Sequence, residues 1–592
     1  MKRILIGALG ALVVTVAPQA AWAAVADPVK IESGQLSGAD TATPSVRVFK
    51  GIPFAAPPTG DNRWRAPQPV AKWDGVRKAD AFGAPCLANA GAGRGGGGGG
   101  GRRGGGAPGA PGAAPGAPGG TAPGGAPVAP GGAPGAPGAA GAPGGGGFGR
   151  RGAAPGGAPG GAAPAAAAPA APAAPPAPPR TPAAAEDCLF LNVWTSAEKA
   201  SDKKPVMVFV YGGGFFSGNG GEARYDSERM ASKGVVAVTL NYRLGPFGFF
   251  THPELAKESG HNASGNYGVM DTIAALQWVK KNIAAFGGDP GNVTIYGESA
   301  GAIMLGALAG SPQAKGLFNR AILESGTWMG VVMAKMASGA EAQARSAQTL
   351  GTTTIAELRA KPVAELTGVT SASLVVDGYI IPEDTSVTFA KGNQLGIDVL
   401  VGSNKDEGTF GLPGCTSNTT LANFKATAEK THGEAAETFL KLYPATTDAE
   451  ASAQSVMACG DNATYNHRQF AAAQAKKGKK AWVYYFTRVP LTAQGTPQAN
   501  GASHITELAY VFGIPGPYWN DTDRKLSETM MSYWVNFATK GDPNGPGLPK
   551  WPGFKDTIKD KAMVLGDTVQ VEAAAPSEKN TFYSGVHAKL MK

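Results

Sequence analysis

The sequence predicts an α/β protein in which a central, mostly parallel sheet is flanked by helices. Two continuous apolar runs of strand length, at residues 206–211 (VMVFVY) and 235–240 (VVAVTL), are typical of strands buried on both faces. A third short run follows at residues 293–296 (VTIY). The order strand, strand, helix, strand, turn, helix favours parallel strands joined by crossovers.

The helix between the second and third strands is predicted over residues 268–286. Its apolar side chains recur at helical spacing and share one face, namely Val269, Ile273, Leu276, Val279 and Ile283. A glycine pair at residues 287–288 follows, which is a common helix stop.

Residues 1–23 have the pattern of a secretory signal peptide. They combine a basic start (MKR), an apolar run and a small-residue cleavage site (AWA). The apolar run is shorter than the roughly 20 residues that a membrane span needs. We therefore expect an exported protein, secreted or periplasmic, with no membrane span and with one catalytic domain over residues 24–592.

Residues 90–185 are expected to form a disordered insertion in that domain. The segment is almost wholly Gly, Ala and Pro with six arginines, and such a composition buries too little apolar surface to offset the entropy of ordering. Without these arginines and the two basic residues of the signal peptide, the net charge of +9 falls to +1. This near-neutral remainder offers no broad basic surface for nucleic acid.

Cysteine and histidine spacing argues against a metal site. The four cysteines, Cys86, Cys188, Cys415 and Cys459, form no CxxC or CxxH pair, and the six histidines include no HExxH. In an exported protein the cysteines can form disulfides, and four of them allow three pairings.

Ser299 lies in a Gly-x-Ser-x-Gly motif (GESAG, residues 297–301) between a predicted strand and a helix of small residues. The motif alone is weak in a glycine-rich chain, but this context is typical of a nucleophile exposed at a sharp turn. A serine needs a base to remove its proton and donors for the oxyanion. Backbone N–H groups of Gly213, Gly214 and Ala300 are candidate donors, although a glycine cluster also marks ordinary turns.

Several further stretches carry a family resemblance. They are YGGGF, LNYRLGPFGF, GNYGVMD, FKGIPFAAPPTGDNRWRAP, EDCLFLNVW and GDPNGPGLPKWPGF. Together with GESAG they resemble the type B carboxylesterase and cholinesterase-like family, over about residues 29–88 and 186–583. The resemblance implies an α/β-hydrolase fold and a Ser-Glu-His triad in that chain order.

The resemblance assigns the triad residues. GSNKDEGTF matches the acid motif of the family and points to Glu407, with its neighbour Asp406 as the alternative. GASHITELAYVFG matches the histidine motif and points to His504. His504 would take the proton of Ser299. The activity of the enzyme would then fall near pH 6 to 7 if the pKa of His504 were ordinary, about 6.5. Glu298 and Ser325 match positions around the triad, although ordinary polar residues near a core fit them nearly as well.

The resemblance also implies three pairs of side chains, namely the disulfides Cys86–Cys188 and Cys415–Cys459 and a salt bridge between Arg63 and Glu186. The insertion then lies within the first disulfide loop. Because cholinesterases hold choline with a tryptophan of this loop, and residues 87–187 contain no Trp or Tyr, choline esters are disfavoured. Aromatic residues that line either a substrate gorge or the core are Trp328, Tyr510, Phe512, Tyr518 and Trp519.

The sequence thus predicts a serine carboxylesterase that acts on small-molecule neutral esters with water and needs no cofactor. A catalytically silent adhesion or binding protein on the same scaffold is one alternative, and an amidase or transacylase with the same triad is another. The natural ester and the oligomeric state stay open.

Overall fold

The computed structural model describes residues 25, 27–88, 182–327, 336–371, 373–410, 416–555, 561–573 and 576–590 of the 592-residue chain. The predicted signal peptide and the predicted insertion up to residue 181 lie outside these residues, so both stay predictions. Trp328 and Cys415 lie outside them as well.

The described residues form sixteen strands. They are β1 (Val29–Ile31), β2 (Gly34–Ser37), β3 (Ala39–Asp40), β4 (Arg47–Pro53), β5 (Val76–Lys78), β6 (Phe190–Thr195), β7 (Lys204–Val210), β8 (Val236–Leu240), β9 (Gly288–Glu298), β10 (Arg320–Glu324), β11 (Ala337–Ser338), β12 (Val375–Val376), β13 (Asp398–Asn404), β14 (Ala481–Phe486), β15 (Ala562–Leu565) and β16 (Val569–Glu572).

Fifteen α-helices accompany them in the same residues. They are α1 (Glu228–Ser232), α2 (Gly245–Phe249), α3 (Pro253–Glu258), α4 (Tyr267–Asn282), α5 (Ala300–Gly310), α6 (Gly339–Leu350), α7 (Ile355–Ala360), α8 (Val363–Leu366), α9 (Thr385–Ala390), α10 (Leu421–His432), α11 (Ala436–Leu442), α12 (Asp448–Lys476), α13 (Leu508–Phe512), α14 (Asp521–Lys540) and α15 (Ser577–Leu590).

One large sheet organises the described part of the chain. Its eleven strands lie in the order β16-β15-β14-β13-β10-β9-β7-β8-β6-β4-β3. From β15 to β8 every neighbouring pair is parallel, while β16 at one edge and β6, β4 and β3 at the other are added antiparallel. Helices α4, α5, α12 and α14 pack against the strands. A continuous apolar core lies between the sheet and these helices. The predicted α/β class is therefore confirmed.

The predicted elements match the observed ones closely. The three apolar runs are β7, β8 and β9, and they form adjacent parallel strands with β7 in the middle. The predicted helix divides into α4 and a 3₁₀ turn at Ile283–Phe286. Gly287 then adopts a left-handed conformation with φ of 77°, which a glycine reaches without strain and which ends the helix. All five residues of the predicted apolar face are buried.

The described residues on either side of the predicted insertion are joined by covalent and polar contacts. A disulfide joins Cys86 to Cys188, with a Cα–Cα distance of 4.9 Å. Beside it, the Arg63 guanidinium donates two hydrogen bonds to Glu186, at 2.6 and 2.7 Å. Cys459 is also disulfide-bonded. Its expected partner lies outside the described residues, so that pairing stays a prediction.

The parallel strands place their carboxyl ends along one edge of the sheet. Strands β7, β9, β10 and β13 end there, and the chain continues from each of them into a loop or turn. Ligands of open α/β sheets bind at this edge, since the loops that leave it converge in space. No helix of the described residues is both long and apolar enough to span a bilayer.

Candidate active site

Ser299 lies at a sharp turn between β9 and α5. Its backbone has φ of 56° and ψ of −125°, a left-handed conformation that non-glycine residues rarely adopt. A Cβ atom on Gly301 would lie only 2.0 Å from the carbonyl oxygen of Val210, so α5 can approach β7 only because this residue is glycine. Ser299 is partly exposed, in contrast to residues 293–298 of the strand before it, which are all buried. The turn therefore presents the hydroxyl at the edge of the sheet.

His504 and Glu407 meet Ser299 from two distant parts of the chain. The Nε2 atom of His504 lies 2.7 Å from Oγ of Ser299, and its Nδ1 atom is hydrogen-bonded to Oε2 of Glu407. Glu407 follows β13, and its other oxygen, Oε1, accepts a hydrogen bond from the backbone N–H of Asn404 at 2.8 Å. His504 and Glu407 are 2% and 1% exposed, so water does not compete for these bonds. The structure thus brings together the three residues that the sequence singled out.

Asp406, the alternative acid, lies elsewhere. Its carboxylate accepts a hydrogen bond from the backbone N–H of Ala502 at 2.8 Å, and its own N–H donates to the carbonyl of Ala502 at 3.0 Å. Asp406 therefore contacts the backbone before His504, whereas Glu407 contacts the imidazole.

Three backbone N–H groups that the sequence indicates as oxyanion donors show no backbone acceptor. In the described part of the chain, the N–H groups of Gly213, Gly214 and Ala300 donate to no backbone acceptor. A Cβ atom on Gly212 would lie 2.8 Å from Cβ of Ser299, so the loop after β7 approaches the serine closely where a side chain is missing. Donors that are held in place without partners can stabilise developing negative charge.

Glu298 places a second carboxyl group next to the imidazole of His504. Its Oε1 atom lies 3.3 Å from Nε2 of His504, on the side that faces Ser299. Burial raises the pKa of Glu298 to about 7, an effect that the positive charge of His504 partly offsets. For His504, burial lowers the pKa, but the nearby carboxylates of Glu407 and Glu298 outweigh it and raise the pKa to about 9. The condition of an ordinary pKa, on which the expected fall near pH 6 to 7 depended, is therefore not met at His504.

Ser325 belongs to a buried polar cluster that also contains Glu507 and Asn404. It follows β10 with φ of 52°, and its hydroxyl is hydrogen-bonded to Oε1 of Glu507 at 3.1 Å. The side-chain amide of Asn404 donates to the other oxygen of Glu507 and, at 2.7 Å, to the carbonyl of Ser503. Burial raises the pKa of Glu507 well above its usual range.

His467 is a further buried group that the sequence did not reveal. The imidazole accepts a hydrogen bond at Nε2 from the N–H of Gly326 at 3.1 Å and contacts the carbonyl of Ala463 through Nδ1 at 2.7 Å. Burial lowers its pKa to about 4, so it is neutral near pH 7. A local signal existed for Glu507, which follows His504 by three residues, but none existed for His467, which reaches the site from α12.

Two of the aromatic candidates belong to the core instead of a gorge. Phe512 is fully buried against Phe209, Tyr225 and Tyr296, and the hydroxyl of buried Tyr510 donates to Asp523 at 2.7 Å. Tyr518 is half exposed, and Trp519 stacks on Tyr510 with ring centroids 4.6 Å apart. Within the described ranges, no group of three or more His, Cys, Asp or Glu side chains is arranged to hold a metal ion.

Comparison with known proteins agrees with this architecture. The model of the carboxylesterase family matches residues 26–99 and 161–583. Fumonisin B1 esterase of Sphingopyxis macrogoltabida is 32% identical over 584 residues, covering 95% of this chain and 90% of that protein. Para-nitrobenzyl esterase of Bacillus subtilis is 28% identical, covering 93% and 97%.

Solved structures extend the comparison to the fold. A structure of PNB esterase superposes with a TM-score of 0.67 at 27% identity, covering 94% of this chain and 99% of that one. A thermophilic PNB esterase gives a TM-score of 0.68 at the same identity and the same two coverages. The chain belongs to the carboxylesterase family, and it is a carboxylic-ester hydrolase with the α/β-hydrolase fold.

Proposed function

We propose that the chain is a serine carboxylesterase whose nucleophile is Ser299, with His504 as its base and Glu407 as the acid that orients the base. Two hydrogen bonds that share the imidazole of His504 carry this proposal. One joins Oγ of Ser299 to Nε2, and the other joins Nδ1 to Oε2 of Glu407. A serine hydroxyl becomes an effective nucleophile when a base within hydrogen-bond reach accepts its proton.

The first half of the reaction is acylation of Ser299. As Oγ attacks the ester carbonyl carbon, Nε2 of His504 takes its proton, and the carbonyl oxygen gains negative charge. The N–H groups of Gly213, Gly214 and Ala300 donate to that oxygen. When the tetrahedral intermediate collapses, His504 gives the proton to the leaving alkoxide, which departs as the alcohol.

The second half repeats these steps with water. His504 removes a proton from a water molecule that attacks the acyl-enzyme, and the same N–H groups hold the second oxyanion. Collapse releases the carboxylic acid and returns the proton to Ser299. Glu407 and Glu298 stabilise the imidazolium that forms in both halves, since their carboxyl oxygens lie next to Nδ1 and Nε2. Ser325 keeps the buried Glu507 hydrogen-bonded behind the triad. No cofactor or metal enters this scheme.

Neutral carboxylic esters of modest size are the substrates that we propose. The relatives are named for para-nitrobenzyl esters and for fumonisin B1, so a substrate panel should contain both, together with short-chain and medium-chain aryl esters. Anilides and an added alcohol belong in the same panel. Faster anilide cleavage, or transfer to the alcohol in preference to water, would identify an amidase or a transacylase instead.

Replacement of the nucleophile is the direct test. Ser299→Ala should lower kcat on an activated aryl ester by about 10⁶-fold, because the triad residues act as a unit. The matched control is Ser232→Ala, which removes an exposed serine of α1 and should leave turnover unchanged. Substantial turnover by Ser299→Ala would show that another residue is the nucleophile.

Covalent labelling separates an enzyme from a silent scaffold. A fluorophosphonate probe should modify the wild-type protein at Ser299, as mapped by mass spectrometry of the labelled peptide. Folded wild-type protein that fails to react would favour the adhesion or binding role.

We also propose that the protein is exported, secreted or periplasmic, after removal of residues 1–23. The disulfide between Cys86 and Cys188 supports this proposal, since disulfides persist in oxidising compartments. N-terminal sequencing of protein recovered outside the cytoplasm should begin near Ala24, and an intact Met1 there would contradict cleavage.

A further inference from the structure

Two loops carry the base and the acid of the site, and neither charged group sits on a long helix or strand. We call residues 404–407, which are the last residue of β13 and the three that follow it, the acid loop, and residues 501–507 the histidine loop. The acid loop leaves the end of β13, and the histidine loop has no regular structure before α13 begins at Leu508. The distance between Glu407 and His504 therefore depends on contacts that run directly from one loop to the other.

Asn404 supplies one set of these contacts. Its side-chain amide donates to the carbonyl of Ser503, the residue before His504, at 2.7 Å and also to the carboxyl of Glu507. Its backbone N–H holds Oε1 of Glu407 at 2.8 Å. Asn404 is fully buried, so no water can replace these partners. One residue thus touches both the acid and the backbone that carries the base.

Asp406 supplies the other set. It forms a closed pair of hydrogen bonds with Ala502, since the Asp406 N–H donates to the carbonyl of Ala502 at 3.0 Å and the Ala502 N–H donates to the carboxylate at 2.8 Å. Asp406 is only half-buried. Lys405, between the two, is exposed, and among the described residues its side chain makes no hydrogen bond or ion pair with the histidine loop.

We infer that Asn404 and Asp406 are positioning residues that hold the histidine loop against the acid loop, so that Glu407 reaches Nδ1 of His504 while Nε2 stays on Ser299. This inference deepens the proposed function and rests on it. The two residues bind consecutive peptide groups, at Ala502 and Ser503, and together they fix the backbone immediately before the base. A displacement of about 1 Å in such a site can lower turnover about 100-fold.

Asp406 gives the sharper experiment because it is half exposed and its variants are expected to fold. Asp406→Ala removes the acceptor for the Ala502 N–H and should lower kcat by about 10- to 100-fold, with KM within about threefold of wild type. Asp406→Asn keeps an oxygen acceptor and should be clearly more active than Asp406→Ala. Lys405→Ala is the matched control from the same loop and should behave as wild type.

Asn404→Ala extends the test to the buried contacts. The same fall in kcat is expected, and the acid limb of the kcat/KM profile should move to lower pH in both alanine variants. The reason is that a looser contact between Glu407 and His504 raises the pKa of the imidazole less. All rates are expressed per active site, counted by titration with the fluorophosphonate, so that unfolded protein does not enter the comparison.

The outcomes separate this inference from the proposed function. If both alanine variants show wild-type kcat per titrated site and an unshifted acid limb, the two residues serve stability alone and the inference is overturned. If Ser299→Ala keeps substantial turnover, the proposed function itself fails. If Asn404→Ala does not fold, the Asp406→Ala and Asp406→Asn pair decides the question alone.

Discussion

Replacement of Glu298 by glutamine tests whether carboxylates set the protonation of the base. In the proposed mechanism His504 acts as a base only in its neutral form, so activity should fall as the pH drops through its pKa. Because Glu407 and Glu298 raise that pKa above the ordinary value of about 6.5, the acid limb of the wild-type profile should lie above pH 6.5. Glutamine removes one negative charge with little change in shape. The acid limb should therefore move to lower pH in Glu298→Gln.

The size of the shift follows from the geometry. Oε1 of Glu298 lies 3.3 Å from Nε2 of His504. At an effective dielectric constant of roughly 20, a full charge at that distance stabilises the imidazolium by about 5 kcal/mol, which corresponds to about 3.7 pH units. This is a ceiling, since burial raises the pKa of Glu298 itself to about 7 and the carboxyl is not ionised at lower pH. A downward shift of at least about 1 pH unit is expected.

The assay is kcat/KM for an activated aryl ester between pH 5 and 10, because this parameter reports the pKa of the free enzyme. Glu324→Gln is the matched control. Glu324 is also buried, with its pKa raised to about 8 by burial, but its carboxyl accepts a hydrogen bond from Trp534 at 2.5 Å and is not one of the carboxylates that raise the pKa of His504. Its replacement should leave the acid limb in place.

Two results would refute this reasoning. A wild-type acid limb at or below pH 6.5 would mean that burial outweighs the carboxylates at His504. An unshifted limb in Glu298→Gln would mean that Glu298 carries no charge in the working enzyme.

Two further predictions concern stability. Burial lowers the pKa of His467 to about 4, below the ordinary value of about 6.5 in the unfolded chain, so the unfolded state binds the extra proton at intermediate pH. The free energy of unfolding should therefore fall by at most about 3 kcal/mol as the pH drops from above 6.5 to below 4. Urea unfolding of wild type and His467→Gln between pH 4 and 7 checks this, and a difference between the two proteins that does not change with pH would contradict it. Deletion of residues 90–184 should preserve folding and turnover of small esters, because the Cα atoms of Cys86 and Cys188 are already 4.9 Å apart. Thermal melting and kcat/KM of the deletion variant test this, and a loss of either would show that the segment does more than connect its ends.

The fold was predictable because its signals are local. Buried parallel strands appear as continuous apolar runs, and the buried face of α4 and of the 3₁₀ turn after it shows in the spacing of five side chains. Ser299 could be singled out for the same reason, since strand, turn and helix are contiguous around it. The residues that the family resemblance supplied, Glu407 and His504, have no such local signal and needed several motifs together.

The sequence by itself determined the α/β class and singled out Ser299, because short-range periodicity and turn chemistry depend on neighbouring residues. The family resemblance singled out Glu407 and His504. Tertiary structure alone decided that Glu407 and not Asp406 faces His504, that Asn404 and Asp406 join two loops about 100 residues apart, and that Tyr510 and Phe512 belong to the core. It also decided the pKa values of Glu298, His467 and His504. Burial and the distance between charges set these properties, and both arise only when remote segments of the chain pack together.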